Sequence, residues 1–393
     1  MEKSNHISDN IRYVGVDDLT IGLFENQYPV PQGISYNSYI IKDEKTALLD
    51  TVDAAFGQEW MARVRAELGD CTPDYLVIHH MEPDHSANIA RALAEFPEMT
   101  LVASDKAVGM LSQFFEGYDF NGRTIAVKEG DELNLGSHCL TFVAAPMVHW
   151  PEVILSYEAK EKVLFSADAF GKFGVPGYED GWTNEARRYY VNIVGKYGAQ
   201  TQALLKKVSL KDIEVIAPLH GPVLSGDLSR YISLYDIWSS YRPEQNGVLV
   251  AYASVYGGTR ECALEFADML CEEGIDNVVT FDLCRQDVSE AVSQAFRLSA
   301  MVLAGVTYDA SLFPPMATFL HHLKMKNYRN RAVGIIENGS WAPVAGKLMA
   351  EAVAALPGIE IINPKVTLKS RMRLSDRPVM EALAKALAVK VKA

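Results

Sequence analysis

Residues 80–85 read His80-Met81-Glu82-Pro83-Asp84-His85, two imidazoles and two carboxylates crowded into one short stretch. They follow Asp74-Tyr75-Leu76-Val77-Ile78-His79 directly, and that apolar run has the character of a buried strand. Such a cluster at a strand end repels itself or stays solvated unless a cation holds it together. Taken alone, a solvated polar loop is the competing explanation. Further ligand types recur after later apolar runs. His149 lies in the stretch Ala145–Glu152, Asp168 follows Val163-Leu164-Phe165-Ser166-Ala167, and His220 follows Ile213–Leu219 and precedes Gly221-Pro222. A single His at a strand end is ordinarily structural and a single Asp there is ordinarily a cap. The combination carries the weight. His79 precedes the cluster and is assigned to its surroundings or to no role, while His138, His321 and His322 read as surface or packing residues and His6 as part of a polar tail.

A second constellation lies in the other half. Ser254-Val255-Tyr256-Gly257-Gly258-Thr259 joins an apolar strand pattern to a helical one. A phosphate is held by unhindered backbone N–H groups, small hydroxyls and a helix N-terminus, and this turn offers all three without a cationic side chain. A plain strand-to-helix turn is the alternative for that loop by itself. Two more loops raise the odds: Gly305-Val306-Thr307-Tyr308-Asp309 and Asn338-Gly339-Ser340-Trp341 each end an apolar run. Carboxyl ends of parallel strands are where open sheets bind ligands. Tyr308 and Trp341 are candidates to line the planar ring of a bound ligand, or else ordinary edge aromatics.

The elements that must position these residues change character along the chain. The first half is a series of short β-type runs broken by Gly, Asn and Asp turns, with helical patterns at 56–68 and 86–96. The polar stretch 239–247 is the candidate boundary. Beyond it, apolar strands alternate with helical segments through the last helix near 376–389, which argues for a parallel sheet of five strands with helices on both faces. The expected division is 1–246 and 247–393.

Composition narrows the class. The chain has 393 residues, enough for two domains, and 49% of them are apolar, as in globular proteins. A net charge of −13 argues against non-specific binding to nucleic acid or to an anionic membrane. No run approaches the ~18 apolar residues of a membrane helix, and the first residues are too polar for a signal peptide. Five scattered cysteines with no Cys-x-x-Cys pair exclude a zinc knuckle, a rubredoxin module or a thioredoxin-type site within the chain. A reducing cytoplasm is the expected location.

In order and context, the His-x-Glu-x-Asp-His cluster, the later His149 and Asp168, and His220-Gly221-Pro222 resemble the metallo-β-lactamase superfamily. Its zinc hydrolases carry His at the position of Glu82. With Glu there, the set is richer in carboxylate, which favours harder metals such as iron or manganese over zinc. Glu82, His149-Trp150-Pro151 and His220-Gly221-Pro222, together with the flavin-type loops, resemble the flavodiiron proteins (A-type flavoproteins of the rubredoxin:oxygen or nitric oxide oxidoreductase type), and specifically their minimal two-domain class. The segments Leu23-Phe24-Glu25 and Gly33–Tyr39 look like the family's amino-terminal part, so the resemblance spans nearly the whole chain.

That resemblance implies an α/β protein: a metallo-β-lactamase-like αββα sandwich holding a diiron centre, followed by a flavodoxin-like doubly wound parallel sheet holding FMN. It implies that His80, Glu82 and His149 bind one non-haem iron, that Asp84, His85 and His220 bind the other, and that Asp168 bridges them; in some members water takes the place of the residue corresponding to His85. It implies that Ser254, Val255, Tyr256, Gly257, Gly258, Thr259, Thr307, Tyr308, Asp309, Asn338, Gly339, Ser340 and Trp341 form the FMN site. The activity implied is reduction of O2 to water, of NO to N2O, or both, with electrons from a separate rubredoxin or similar small donor. A head-to-tail homodimer or a homotetramer is implied as well. Tyr28 is a candidate for the substrate pocket. The alternative is a metal-dependent hydrolase with an appended flavodoxin-like domain.

Overall fold

The computed structural model describes residues 6–177 and 181–392. Two compact units emerge: Met1–Tyr190 with Ala199–Asp236, and Val191–Gly198 with Ile237–Ala393.

The first unit is built on two six-stranded sheets. One runs in the order Ile11–Tyr13, Tyr39–Ile41, Ala47–Leu49, Tyr75–Ile78, Thr100–Ser104, Thr124–Val127. The other runs Glu132–Asn134, Cys139–Ala144, Ile154–Glu158, Val163–Phe165, Val215–Ala217, Leu224–Ser225. In Cys139–Ala144, Leu140 and Phe142 are fully buried while Cys139 and Thr141 are half-buried, the alternation of a strand with one face on a core. Tyr75–Ile78 lies parallel to strands on both sides, and its run Leu76-Val77-Ile78 is buried throughout. Inner-face residues of both sheets, among them Tyr39, Leu49, Val77, Val102, Phe142, Ile154 and Phe165, form one cluster. Helices such as Gly57–Leu68, which buries Trp60, Val64 and Leu68, complete the αββα sandwich. The helix Asp105–Phe114 starts where Ser104 Oγ accepts a hydrogen bond from Ala107 N, a standard N-cap.

The second unit is a parallel sheet in the order Val278–Asp282, Gln245–Tyr252, Leu298–Tyr308, Ala332–Asn338, Glu360–Ile361. This is the doubly wound order with the first strand second in space. The expected fifth strand comes in two pieces, because Val366–Leu368 pairs further along Ala332–Asn338. The helices Gly258–Glu272 and Arg377–Lys392 pack Phe266, Leu270, Leu383 and Leu387 onto Val248, Val250 and Val302. Tyr241 ties the short segment 191–198 to this unit: its hydroxyl donates to Gly195 O at 2.9 Å and accepts from Gly198 N at 3.2 Å. Among the described residues no helix is long and apolar enough to cross a membrane.

Candidate metal centre and flavin cleft

Strand ends in both sheets of the first unit deliver the metal-type residues. Past Tyr75–Ile78 the chain turns through His79 and His80 into a single helical turn, Pro83–Ser86, with proline at its start. Thr51 holds this loop through its N–H and its hydroxyl, both donating to His85 O at 2.8 Å. His149 sits between the antiparallel strands Cys139–Ala144 and Ile154–Glu158, and Asp168 and His220 follow the parallel strands Val163–Phe165 and Val215–Ala217. Asn37 anchors the His220 turn by donating its amide to Pro218 O at 2.7 Å and Gly221 O at 2.9 Å.

All seven residues converge as two adjoining groups: His80, Glu82, His149 and Asp168 in one, Asp84, His85 and His220 in the other. Asp168 faces both. Its Oδ2 lies 3.0 Å from His149 Nε2 and 3.5 Å from His80 Nε2, and its Oδ1 lies 3.4 Å from His85 Nε2 and 3.8 Å from His220 Nε2. Glu82 reaches His149 Nε2 at 3.0 Å, while Asp84 lies 3.3 Å from both His85 and His220 Nε2.

Outer contacts aim the imidazoles. His80 Nδ1 donates to Glu152 Oε1 at 2.7 Å, and His220 Nδ1 donates to the Ser35 carbonyl at 2.8 Å. A carbonyl only accepts, so the His220 proton sits on Nδ1 and its Nε2 lone pair points inward. His79 looks the other way: Nδ1 meets Asp50 and Nε2 meets Ser156 Oγ at 2.7 Å.

The electrostatics of the bare chain are those of a cation site. Burial acts to lower the basicity of His80, but the negative charges of Asp168, Glu152 and Glu82 hold it well above the ordinary histidine value. Burial likewise opposes protonation of His149, which Asp168 and Glu82 nonetheless push up to about 9. Desolvation acts to raise Asp168, yet His80, His149 and His85 hold its carboxyl well below the usual range. Both oxygens of Asp84 and of Asp168, and Nδ1 of His85, are buried without a hydrogen-bond partner. Buried acceptors of this kind cost free energy unless something fills them. His85 and His220 also bring two Nε2 atoms within 3.1 Å. Two metal ions fit this donor set.

A cleft of about 650 Å³ opens beside the groups and is lined by Leu23, Phe24, Glu25, Tyr36, Asp53, Glu82 and Asp84 among others. Tyr28, expected near the substrate pocket, pairs with the cleft residue Phe24 and packs its ring on Phe173 at 5.7 Å, while Glu25 and Tyr36 line the wall. Sequence reasoning missed Glu152 and Ser35. Glu152 was within sight, three residues after His149, whereas a carbonyl acceptor leaves no trace in side-chain identity.

In the second unit a cleft of about 380 Å³ sits at the carboxyl edge of the sheet. Ser254, Val255, Tyr256, Gly258, Thr259, Thr307, Asp309, Asn338, Gly339, Ser340 and Trp341 line it. Gly257 stands outside that lining and instead shapes the turn, with φ of +93° and its N–H donating to Ser254 Oγ at 3.1 Å. Tyr308 is also outside it, tilted against Phe313 at 5.3 Å, so Trp341 and Tyr256 are the aromatics at the cleft. The Thr307 hydroxyl accepts from Val344 N and Ala345 N and so starts the helix Ala345–Ala354. A fifth loop, unforeseen from sequence, completes the site with Ser370 and Arg371. Asn338 pins Ser370 through Oδ1 and Nδ2, at 3.0 and 2.9 Å. A Cβ on Gly258 would stand 2.3 Å from Ser370 O, so only glycine fits beneath this loop. The helix Gly258–Glu272 begins at the cleft, and its first-turn N–H groups lack carbonyl partners within the helix. Small hydroxyls, a glycine-only approach and a helix N-terminus fit the phosphate end of a flavin mononucleotide.

Fold and sites together define an α/β protein of two units, one with a candidate dinuclear metal centre and one with a cleft fit for a flavin mononucleotide. Residues 34–221 match the ODP family beta lactamase model. The chain is 31% identical over 323 residues to an uncharacterized protein of Methanocaldococcus jannaschii, with 81% of each covered. It is 29% identical over 354 residues to the anaerobic nitric oxide reductase flavorubredoxin of Pectobacterium atrosepticum, covering 86% of this chain and 68% of that one. The solved structure of rubredoxin oxygen:oxidoreductase from Desulfovibrio gigas superposes with a TM-score of 0.91 at 26% identity, over 98% of both chains. The chain belongs to the flavodiiron protein family. The hydrolase alternative is not favoured by these relationships.

Proposed function

We propose that this oxidoreductase reduces O2 to water, NO to N2O, or both, at a diiron centre held within residues 1–246, with electrons relayed by FMN held within 247–393. The observation that carries the reading is Asp168, whose two buried oxygens face one ligand group each. His80, Glu82 and His149 would hold one iron, Asp84, His85 and His220 the other, and Asp168 would span both. Bound there, the irons supply electrons and open positions for a diatomic molecule, and FMN supplies electrons singly or in pairs.

The chain's own residues do the rest. Glu152 and Ser35 fix which nitrogen of His80 and His220 faces inward. Three carboxylates would offset the charge of two cations. Ser254, Thr259 and the first turn of the helix Gly258–Glu272 would hold the FMN phosphate, with Trp341 on the cleft wall available to the ring. The names of relatives support both gases and a rubredoxin-type donor. A head-to-tail homodimer or homotetramer is the proposed assembly. The cytoplasm is the proposed location, in keeping with free Cys71, Cys139, Cys262, Cys271 and Cys284.

The test is consumption of NO without oxygen and, separately, of O2, with chemically reduced rubredoxin as donor and iron and FMN quantified on the same sample. Turnover with two irons and one flavin per chain is expected, and the ratio of rates names the preferred gas. Full iron and flavin with no turnover of either gas would overturn the reading.

A further inference from the structure

One oxidisable side chain touches the candidate metal centre and also reaches solvent. The indole of Trp150 meets the His80 ring with centroids 5.2 Å apart and planes at 90°, and the His149 ring at 6.2 Å and 77°. Both imidazoles belong to the group completed by Glu82 and Asp168. On the outside, Phe114 stacks on the indole at 6.5 Å and 25° and is itself 39% exposed. Trp150 is partly exposed.

The other rings near the centre are poorer electron sources. Phe24, 5.3 Å from the His220 ring, has no heteroatom to ease oxidation. Tyr36 and Tyr189 lie 6.0 and 5.5 Å from His220, on the side of the second group, and both are buried. A phenol must shed its proton as it is oxidised: Tyr189 is sealed from solvent, and Tyr36, though it lines the cleft, stands against His220 and not against His80 or His149. An indole gives up an electron before its proton, and Trp150 sits where that proton can leave.

We propose that Trp150 is a self-oxidation site: when O2 reaches the reduced iron pair with no flavin electrons behind it, the indole supplies the missing electrons and takes up one oxygen atom. The inference rests on the diiron reading above. The balance is O2 + Trp–H + 2 e⁻ + 2 H⁺ → Trp–OH + H2O. Two electrons come from the ferrous pair as both ions become ferric. The other two come from the indole, where a C–H bond gives way to C–OH. The second oxygen atom leaves as water with two protons from solvent. Oxidation at Trp150 spares His80 and His149, the imidazoles it touches.

The test uses the full chain loaded with iron(II), either free of flavin or carrying fully reduced FMN, exposed to isotopically labelled O2 with catalase present. Peptides are then read by mass. Trp341, 90% exposed, is the internal control for oxidant escaping into solvent. Expected is the gain of one labelled oxygen on the Trp150 peptide of the flavin-free sample, none on Trp341, and background labelling when reduced FMN is present. In Trp150→Phe the label should move to peptides holding His80 or His149. Labelling of Trp341 equal to Trp150, or O2 consumption that leaves Trp150 unlabelled, would overturn the proposal while leaving the diiron reading intact. Absence of O2 consumption in both samples would remove that reading for O2 and this inference with it.

Discussion

Glu152 and His80 form a hydrogen bond of 2.7 Å between two side chains that are both sealed from solvent. The same carboxylate oxygen accepts from Met81 N at 2.9 Å, so one residue fixes both the backbone and the ring at the start of the ligand cluster. Partners of this kind hold a ligating imidazole in one orientation and raise its basicity. Glu152→Gln keeps the shape and removes the charge. Iron affinity should fall by about 10–100-fold, the usual effect of losing such a partner, with little change in secondary structure. Competition against a chelator measures it; affinity equal to the parent chain would mean that Glu152 does not orient His80.

Asp168 makes a sharper prediction. Each of its oxygens serves a different group, so Asp168→Asn should impair both. His85→Ala should impair only the second. Iron analysis of the three chains, loaded side by side, should give the lowest content for Asp168→Asn and an intermediate one for His85→Ala. Equal loss in the two variants would contradict the division into two groups.

How much of this was legible depended on the range of each contact. The cluster from His80 to His85 is local, and the later ligands stand at the ends of recognisable strands, so residue type and order sufficed. The contacts that orient them are not local: Glu152 is 72 residues from His80, and Ser35 is 185 from His220. The flavin side behaves similarly. Its first, third and fourth loops announce themselves by composition. Ser370 and Arg371 arrive only because the fifth strand breaks and Val366–Leu368 pairs higher on its neighbour. Tyr308 stands between two residues that line the cleft, Thr307 and Asp309, with its ring tilted against Phe313.

Metal removal should leave a pH signature. Burial works against protonation of His149, but Asp168 and Glu82 raise its pKa from 6.5 to about 9. A group raised in the folded state contributes stability that is complete below its unfolded value and is lost as pH rises through the folded one. The metal-free chain should therefore lose stability between pH 6.5 and about 9, by no more than about 3 kcal/mol from this residue. Iron-loaded protein should not follow, because the cation takes the place of the proton, and iron binding should release protons. Thermal unfolding of both forms across that range, with proton release followed in weak buffer, checks this. A metal-free midpoint that rises with pH over the same window would refute it.

At the flavin cleft the decisive pair is Arg371 and Glu261, 3.1 Å apart. Glu261 lies in the first turn of the helix Gly258–Glu272. A carboxylate there competes with phosphate for the positive end of the helix. Arg371 offsets that charge and places a cation on the wall of the same cleft, which the neutral composition of the first loop did not foretell. The pair is exposed, so losing it should cost the fold little, within about 1 kcal/mol. Binding is another matter. Arg371→Gln should weaken FMN by about tenfold, ~1.4 kcal/mol, and leave riboflavin, which lacks the phosphate, unchanged. Flavin fluorescence quenching at low and high salt measures both. Added salt should weaken FMN binding in the parent chain more than in the variant, since screening removes what the substitution has already removed. Equal weakening of FMN and riboflavin would instead assign Arg371 to holding the shape of its loop.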